Sequence, residues 1–359
     1  RADDIENMGL AEAVDAPVIL IGDIDRGGVF AALYGTVKLL SEAEQARIKG
    51  LVINKFRGDI KILEPGLRQI EALTEKPVLG VLPYRHFDLE DEDSLSERLR
   101  KTKAEAEALL RIAVIRLPRL SNFTDFDPLQ AAPEVALSYV SSPAEIGAAD
   151  LLILPGSKST LDDLAWLKAQ GFASCIRDFA ASGRPVLGIC GGYQMLGGTL
   201  RDKESGVEAA GLKLLPVDTV FYAAKQTVCA AGTITASSGF WAALAGQKTE
   251  GYEIHMGQSR IGKEADCFQR LSAREDSERQ RADGCVAGAV CGSYLHGLFD
   301  EVGVTETLLK ALAARKGLSY SHRLKSRRER QEAGFRLLSQ TLREHFDLRG
   351  LYRIMGVER

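Results

Sequence analysis

Residues 185–198 read PVLGICGGYQMLGG. One cysteine, Cys190, sits there between an apolar run and a segment able to turn helical, with Gly188 before it and Gly192 after it. The spacing is G-x-C-x-G, that of a nucleophile elbow, where a strained strand-to-helix turn has no room for side chains and lifts its central residue above a sheet edge. A helix opening at Tyr193–Leu196 would set its positive end near the sulfur and favour the thiolate, the useful nucleophile. The backbone N–H of Gly191 would face the oxygen of a tetrahedral intermediate. A structural cysteine beside a glycine turn has the same local look, so partners must decide.

Two other segments offer them. LLILPGSKST (151–160) ends an apolar run in Pro155-Gly156-Ser157, a loop whose N–H groups can give a second oxyanion donor. GSYLHGLF (292–299) places His296 at the end of a late run, remote in sequence as catalytic partners usually are. A base for the thiol is thus available.

Such groups need a sheet to hold them. APVILIGDID (16–25), GLVINKF (50–56) and KPVLGVLPY (76–84) are short, β-branched and apolar, as buried parallel strands are. Between them, Ser41 and Glu44 form a capping box and EPGLRQIEALTE has helical periodicity. A charged run over 89–110 reads as a solvated linker, with a boundary near 105. A second α/β series follows: RIAVIRLP (111–118), VALSYV (135–140), ADLLILPG (149–156), one helical stretch, then RPVLGIC (184–190). After Gly206 the pattern predicts shorter strands and Gly-rich turns, and the tail predicts an amphipathic packing arm. The division is therefore 1–105, 106–304 and a helical tail 305–359.

Composition narrows the partners. With 45% hydrophobic and 26% charged residues and a net charge of −3, the chain lacks the basic excess of a nucleic-acid binder. Small-molecule partners are expected. No apolar run is long enough to span a bilayer and no signal core opens the chain, so the cytoplasm is the expected location. The six cysteines are dispersed and read as free thiols; neither they nor the five histidines show metal-ligand spacing. The start at Arg1 is read as that of a fragment.

Taken together, LPGSKST, GICGGYQMLG, GYEIHMG and GSYLHGLF resemble the class I glutamine amidotransferase (flavodoxin-like) domain in the variant of the cobyric acid synthase family. The resemblance covers roughly 111–303. It implies that Cys190 attacks the side-chain amide of glutamine, His296 acts as base and then acid, Gln194 contacts bound glutamine, and Gly156 or Ser157 with Gly191 forms the oxyanion hole. The wider amidotransferases carry His-x-Glu, whereas Leu298 stands two residues after His296. A Cys–His dyad with slow unassisted turnover is the resulting expectation. Glu253 and His255 in GYEIHMG either assist or form a turn or domain contact.

DDIENMGLAEA, VILIGDIDRGGVFAALYGT and LVINKFRGD resemble the ATP-dependent half of the same family, a P-loop NTPase domain of dethiobiotin synthetase type. The phosphate-binding loop itself is absent from the sequence and in the family lies upstream. The fold class expected is α/β, a partial P-loop domain followed by the amidotransferase domain. Asp4, Asp23 and Asp25 are candidate acids for phosphate or Mg²⁺, which would bridge ATP oxygens to carboxylates, and Asn54 is a candidate adenine reader. Acids at strand ends also serve as caps, and that reading stays open. RLPRLSNFTDFDPL (116–129) also resembles the family's pattern, and its aromatic and acidic residues would face a corrinoid or the domain contact, or the segment is a packing loop. The family implies ATP- and glutamine-dependent amidation of carboxylates b, d, e and g of adenosylcobyrinic acid a,c-diamide, a step of cobalamin biosynthesis, with no tightly bound cofactor. Its neighbours, the a,c-diamide synthases and the glutaminase subunits of cell-wall precursor amidation, remain alternatives at this point, as does a scaffold with an inactive amidotransferase fold.

Overall fold

The computed structural model describes residues 7–25, 27–85, 87, 108–262 and 265–357. The chain divides into two compact units, Arg1–Leu89 with Glu329–Arg359, and Glu90–Arg328. The boundary expected near 105 falls outside the described residues.

In the first unit, β1 (Val18–Asp23), β2 (Ile48–Phe56) and β3 (Val78–Pro83) form a parallel sheet in that order. All three arise from apolar β-branched runs, and Ile48, Leu51 and Ile53 bury against Val29, Leu33 and Val37 of the helix Val29–Leu39. The capping box is present: the Ser41 N–H donates to Glu44 Oε2 at 2.8 Å and Glu44 N–H to Ser41 Oγ at 3.4 Å. The C-terminal helices Arg327–His345 and Leu348–Ile354 lead back to this sheet, where Phe346 bridges Gly80 and the Asp347 N–H donates to the Leu79 carbonyl. The tail drawn at 305–359 is therefore split, because the helix Val302–Arg315 buries Leu308, Leu309 and Leu312 in the second unit's core.

The second unit holds β4 (Leu110–Ile115), β5 (Leu120–Ser121), β6 (Val135–Val140), β7 (Leu151–Leu154), β8 (Gly156–Ser157) and β9 (Val186–Ile189). It continues with β10 (Thr199–Asp202), β11 (Glu208–Ala210), β12 (Val217–Ile234), β13 (Lys248–Ile261), β14 (Gln269–Ala273), β15 (Asp276–Asp283), β16 (Cys285–Ala287) and β17 (Val290–Ser293). Its central sheet has the order β16-β17-β9-β7-β4-β6, parallel apart from β16. Because β7, β9 and β17 are neighbours and parallel, the loops after them, which carry Ser157, Cys190 and His296, emerge at one edge. Open α/β sheets bind ligands at the carboxyl ends of their strands.

Two local expectations are corrected. The single helical stretch after Thr160 is two helices, Thr160–Ala169 and Phe172–Ala181, interrupted at Gly171, whose φ of 80° is left-handed. The segment after Gly206 is not made of short strands alone: β12 and β13 are 18 and 14 residues long and pair from Val217↔Ile261 to Thr233↔Lys248. That ribbon belongs to a second sheet, β11-β10-β12-β14-β15 with β13 beside β12, and it brings the Ile254 carbonyl to the sulfur of Cys190 and His255 to the same cavity.

Candidate active site

Cys190 stands between β9 and the helix Gly191–Leu196 with φ 51° and ψ −108°, a backbone conformation that a non-glycine residue adopts only under strain, at a cost of about 1–3 kcal/mol. The surroundings enforce it. The Cys190 N–H donates to the Ser293 carbonyl at 2.8 Å, and its own carbonyl accepts from Gln194 N–H at 3.1 Å. A methyl group on Gly188 would meet the Tyr193 nitrogen at 2.6 Å, and one on Gly192 would meet the Leu154 carbonyl oxygen at 1.9 Å. The glycines of the motif are thus steric requirements of the corner.

The sulfur borders a cavity of about 450 Å³ lined also by Asn122, Ser157, Thr160, Gln194 and His255. Gln194 is buried in its wall with both ends of its amide engaged: Oε1 accepts from Thr160 Oγ1 and Nε2 donates to Tyr294 Oη, each at 3.0 Å. Besides bordering the cavity, it ties the elbow helix to the strand tail that carries His296.

Of the oxyanion-hole candidates, Ser157 and Gly191 are brought together. A methyl group on Gly191 would come within 3.0 Å of the Ser157 nitrogen, so the two main chains abut beside the sulfur. Gly156 has a different steric role: a methyl group there would lie 3.2 Å from Cε1 of His296. The Ser157 hydroxyl donates to Asp163 Oδ2 at 2.6 Å and accepts from Ser159 N–H at 3.0 Å. Asp163, fully buried, also accepts from the Arg119 backbone and guanidinium. This carboxylate locks the loop, and the sequence reading missed it; an acid in the first turn of a helix reads as a dipole complement.

His296 is fully buried. Its Nδ1 lies 2.7 Å from Oδ2 of Asp125, whose Oδ1 accepts from the Gly297 N–H at 3.0 Å. The Tyr252 ring stacks on the imidazole at 5.2 Å and 20°, and Tyr252 Oη accepts from Asn122 Nδ2 at 2.6 Å. Nε2 has no partner in strict hydrogen-bond geometry among the described residues, although the Cys190 sulfur is near enough to favour its protonation. Burial pushes the imidazole down, but the charge and hydrogen bond of Asp125 outweigh it and, with Cys190, raise it to about 10. A dyad lacking an orienting acid is therefore not what the structure holds. Asp125 fills the place that the residue after His296-Gly297 leaves vacant, and it comes from the segment 116–129, for which the sequence left a corrinoid face, a domain contact and a packing loop open.

Glu253 does not face this cavity; it is buried in a bidentate pair with Arg281. Tyr294 and Asp283 complete the support: buried Asp283 accepts from Ser293 Oγ at 2.6 Å and Tyr294 N–H at 3.1 Å, fixing the strand end that leads to His296.

In the first unit, Asp23 and Asn54 are register partners at the carboxyl ends of β1 and β2. Asn54 Oδ1 accepts from the Lys55 N–H at 2.9 Å, which fixes its amide. Asp23 pairs with Lys55 at 2.7 Å and Asp25 with Arg57 at 2.9 Å, while Arg57 lies over the Tyr84 ring. Both acids are thus engaged by cations, and no group of three or more His, Cys, Asp or Glu among the described residues is arranged to hold a metal ion. As placed, these residues do not fit a protein-only Mg²⁺ site. Asp4 lies outside the described residues. No helix among the described residues is long and apolar enough to cross a membrane.

Comparison with known proteins agrees with this geometry. The CobB/CobQ-like glutamine amidotransferase domain family matches residues 111–304, and an AAA domain family matches residues 2–92. The second unit is accordingly a glutamine amidotransferase domain, joined to an AAA-type segment. Curated relatives include the cobyric acid synthases of Photorhabdus laumondii (48% identical, covering 100% of this chain and 71% of the relative) and Yersinia enterocolitica (48%, 99% and 70%). That of Ruminiclostridium cellulolyticum is 46% identical, covering 100% of this chain and 71% of the relative. The chain belongs to the cobyric acid synthase family and is a glutamine-hydrolysing, amide-forming ligase.

Proposed function

We propose that the second unit releases ammonia from glutamine by a Cys190–His296–Asp125 relay and that this ammonia amidates carboxylates b, d, e and g of adenosylcobyrinic acid a,c-diamide. The observation that carries the reading is the His296 ring, clamped by Asp125 on Nδ1 and by Tyr252 on its face, with Nε2 left to the Cys190 sulfur. Nε2, protonated at neutral pH because the imidazole is raised to about 10, holds the proton it shares with Cys190 while the sulfur attacks the carboxamide carbon, and gives that proton to the departing nitrogen as ammonia leaves. A glutamyl thioester remains, and water hydrolyses it by the same exchange. The Gly191 and Ser157 N–H groups stabilise both tetrahedral oxyanions.

A carboxylate does not react with ammonia until its oxygen is made a leaving group. The AAA-type segment supplies that activation in this reading: ATP phosphorylates each carboxylate and ammonia displaces phosphate. Asn54 would read the adenine amide edge, and Asp23 and Asp25 would hold Lys55 and Arg57 at the strand ends, where those cations could meet nucleotide phosphates. Mg²⁺ would arrive with the nucleotide. Glutamine, ATP and the corrinoid are thus the partners, all small molecules.

The test is amidation with two nitrogen sources. Cys190→Ala is expected to abolish the glutamine-supported reaction and to spare the reaction with free ammonium. Loss of both in a folded protein refutes the division of labour.

A further inference from the structure

His255 lines the cavity that holds Cys190, and the chemistry above gives it no task. Its ring is immobilised on two sides. It stacks on Tyr294 with centroids 4.0 Å apart and planes 26° from parallel. Tyr294 in turn is held through its hydroxyl by Gln194 at 3.0 Å and Ser259 at 2.6 Å. Nδ1 of His255 lies 2.7 Å from the Gly257 carbonyl oxygen. A carbonyl only accepts, so Nδ1 carries the hydrogen.

Burial lowers the imidazole below its ordinary value, against the opposing pull of the Gly257 bond and the Glu253 charge. The ring is then neutral at pH 7, and its Nε2 bears a lone pair. That nitrogen has no hydrogen-bond partner among the described residues. Two acids share the cavity wall: Asp202 is spent on its own turn, accepting from Glu204 N–H at 3.0 Å and from Ser205 Oγ at 2.7 Å, and Glu204 is exposed. A rigid acceptor on the wall of the nucleophile's cavity suits a ligand rich in N–H donors.

We infer that His255 is a substrate-recognition residue whose Nε2 accepts an N–H of the bound glutamine. The inference rests on the reading that this cavity takes glutamine. Glutamine has two such donors, the carboxamide and the α-ammonium. A contact to the carboxamide separates substrate from the product glutamate, which lacks that donor; a contact to the ammonium anchors the amino-acid end.

The experiment uses the whole chain and three probes. Glutamine carries both donors, glutaramate carries only the carboxamide, and the Cys-directed inactivator 6-diazo-5-oxo-L-norleucine carries only the ammonium. His255→Phe keeps the stack on Tyr294 and removes the acceptor, while His255→Gln can return an amide oxygen near the place of Nε2. His255→Phe should raise the glutamine KM roughly tenfold or more with kcat nearly unchanged, as loss of a hydrogen bond to a substrate donor implies. His255→Gln should recover part of the loss. If the inactivation constant weakens in parallel and glutaramate is indifferent, the ammonium is the donor; the reverse pattern assigns the carboxamide. Unchanged KM for all three probes overturns the inference, as does an equal fall in kcat for all with KM unaltered, since the ring would then only support the wall. Glutamine hydrolysis that persists in Cys190→Ala sinks the underlying reading instead.

Discussion

Nδ1 of His296 and Oδ2 of Asp125 lie 2.7 Å apart although 171 positions separate them in the chain. The contact does two things at once. It fixes which imidazole nitrogen carries a proton, leaving Nε2 to exchange with sulfur, and it holds the main chain after the histidine through the Gly297 N–H. The site thereby owns an orienting carboxylate, so a slow free glutaminase rate no longer follows from a missing acid.

Asp125→Asn keeps the shape of this contact and removes its charge. An amide can present its NH₂ group to Nδ1 and select the wrong tautomer, so glutamine hydrolysis should fall roughly 10²–10⁴-fold in kcat, the range for a disabled acid–base group. The KM for glutamine and the rate with free ammonium should stay close to those of the unaltered protein. Steady-state assays with both nitrogen sources check this; an unchanged glutaminase rate would remove Asp125 from the relay.

The same pair makes a prediction about protonation. His296 is raised to about 10, above the ordinary 6.5, because the Asp125 charge outweighs burial. A group whose folded-state value is raised stabilises fully below the unfolded value, here about 6.5, and its contribution is lost as pH rises through about 10. Both tryptophans, Trp166 and Trp241, belong to the second unit, so their fluorescence follows its unfolding. Denaturation profiles should show the unaltered protein more stable than Asp125→Asn at pH 7, with the difference closing toward pH 10 and above. A His296 ring signal that titrates near 6.5 by NMR would contradict the assignment.

These particulars show what the sequence could disclose. The elbow was legible because its constraint is local: Gly188 and Gly192 flank Cys190 at spacings that a strained corner requires, and the Leu154 carbonyl and Tyr193 nitrogen occupy the space their side chains would need. His296 and the Ser157 loop were legible as the ends of apolar runs that became neighbouring parallel strands. Asp125 was not, since no spacing links it to His296. It reaches the imidazole only because Asn122 turns left-handed (φ 54°) and the β5–β8 pairing folds its segment over the sheet edge. One signal was present: an acid between Phe123 and Phe126, both buried, must find a partner, since an unpaired buried carboxylate is costly. The C-terminal helices were legible as an amphipathic arm, but not the place where they dock, since their contacts with Gly80 and Leu79 are long-range and leave no periodic trace.

Asp163 should matter as much to the loop as Asp125 does to the imidazole. Asp163→Ala leaves the Ser157 hydroxyl and the Arg119 N–H without their acceptor in a half-buried place, a loss of about 1 kcal/mol. The loop then relaxes and the oxyanion donor drifts, so kcat should fall by up to about 10²-fold, the lower cost of losing one such donor. Ser157→Ala retains the backbone N–H and should cost much less in rate. Equal losses in the two variants, measured beside thermal unfolding, would show that the hydroxyl itself acts on substrate.

Two glycine substitutions should have opposite signs, and the reason lies in where a methyl group would go. In Gly192→Ala the new carbon would sit 1.9 Å from the Leu154 carbonyl oxygen, a backbone atom of the central sheet that cannot retreat without breaking its strand. The helix Gly191–Leu196 must then move away from β7, carrying the N–H of Gly191 from Ser157, and stability should fall by about 3 kcal/mol or more as overpacking against backbone does. Gly35 lies inside the helix Val29–Leu39 with nothing within 4 Å of that methyl position. Gly35→Ala should therefore stabilise the first unit by about 0.5–1 kcal/mol through the lost freedom of the unfolded chain. Far-UV circular dichroism during denaturation, read beside tryptophan fluorescence, separates the two units: the first variant should shift the fluorescence transition down, and the second should shift only the transition that the tryptophans do not see.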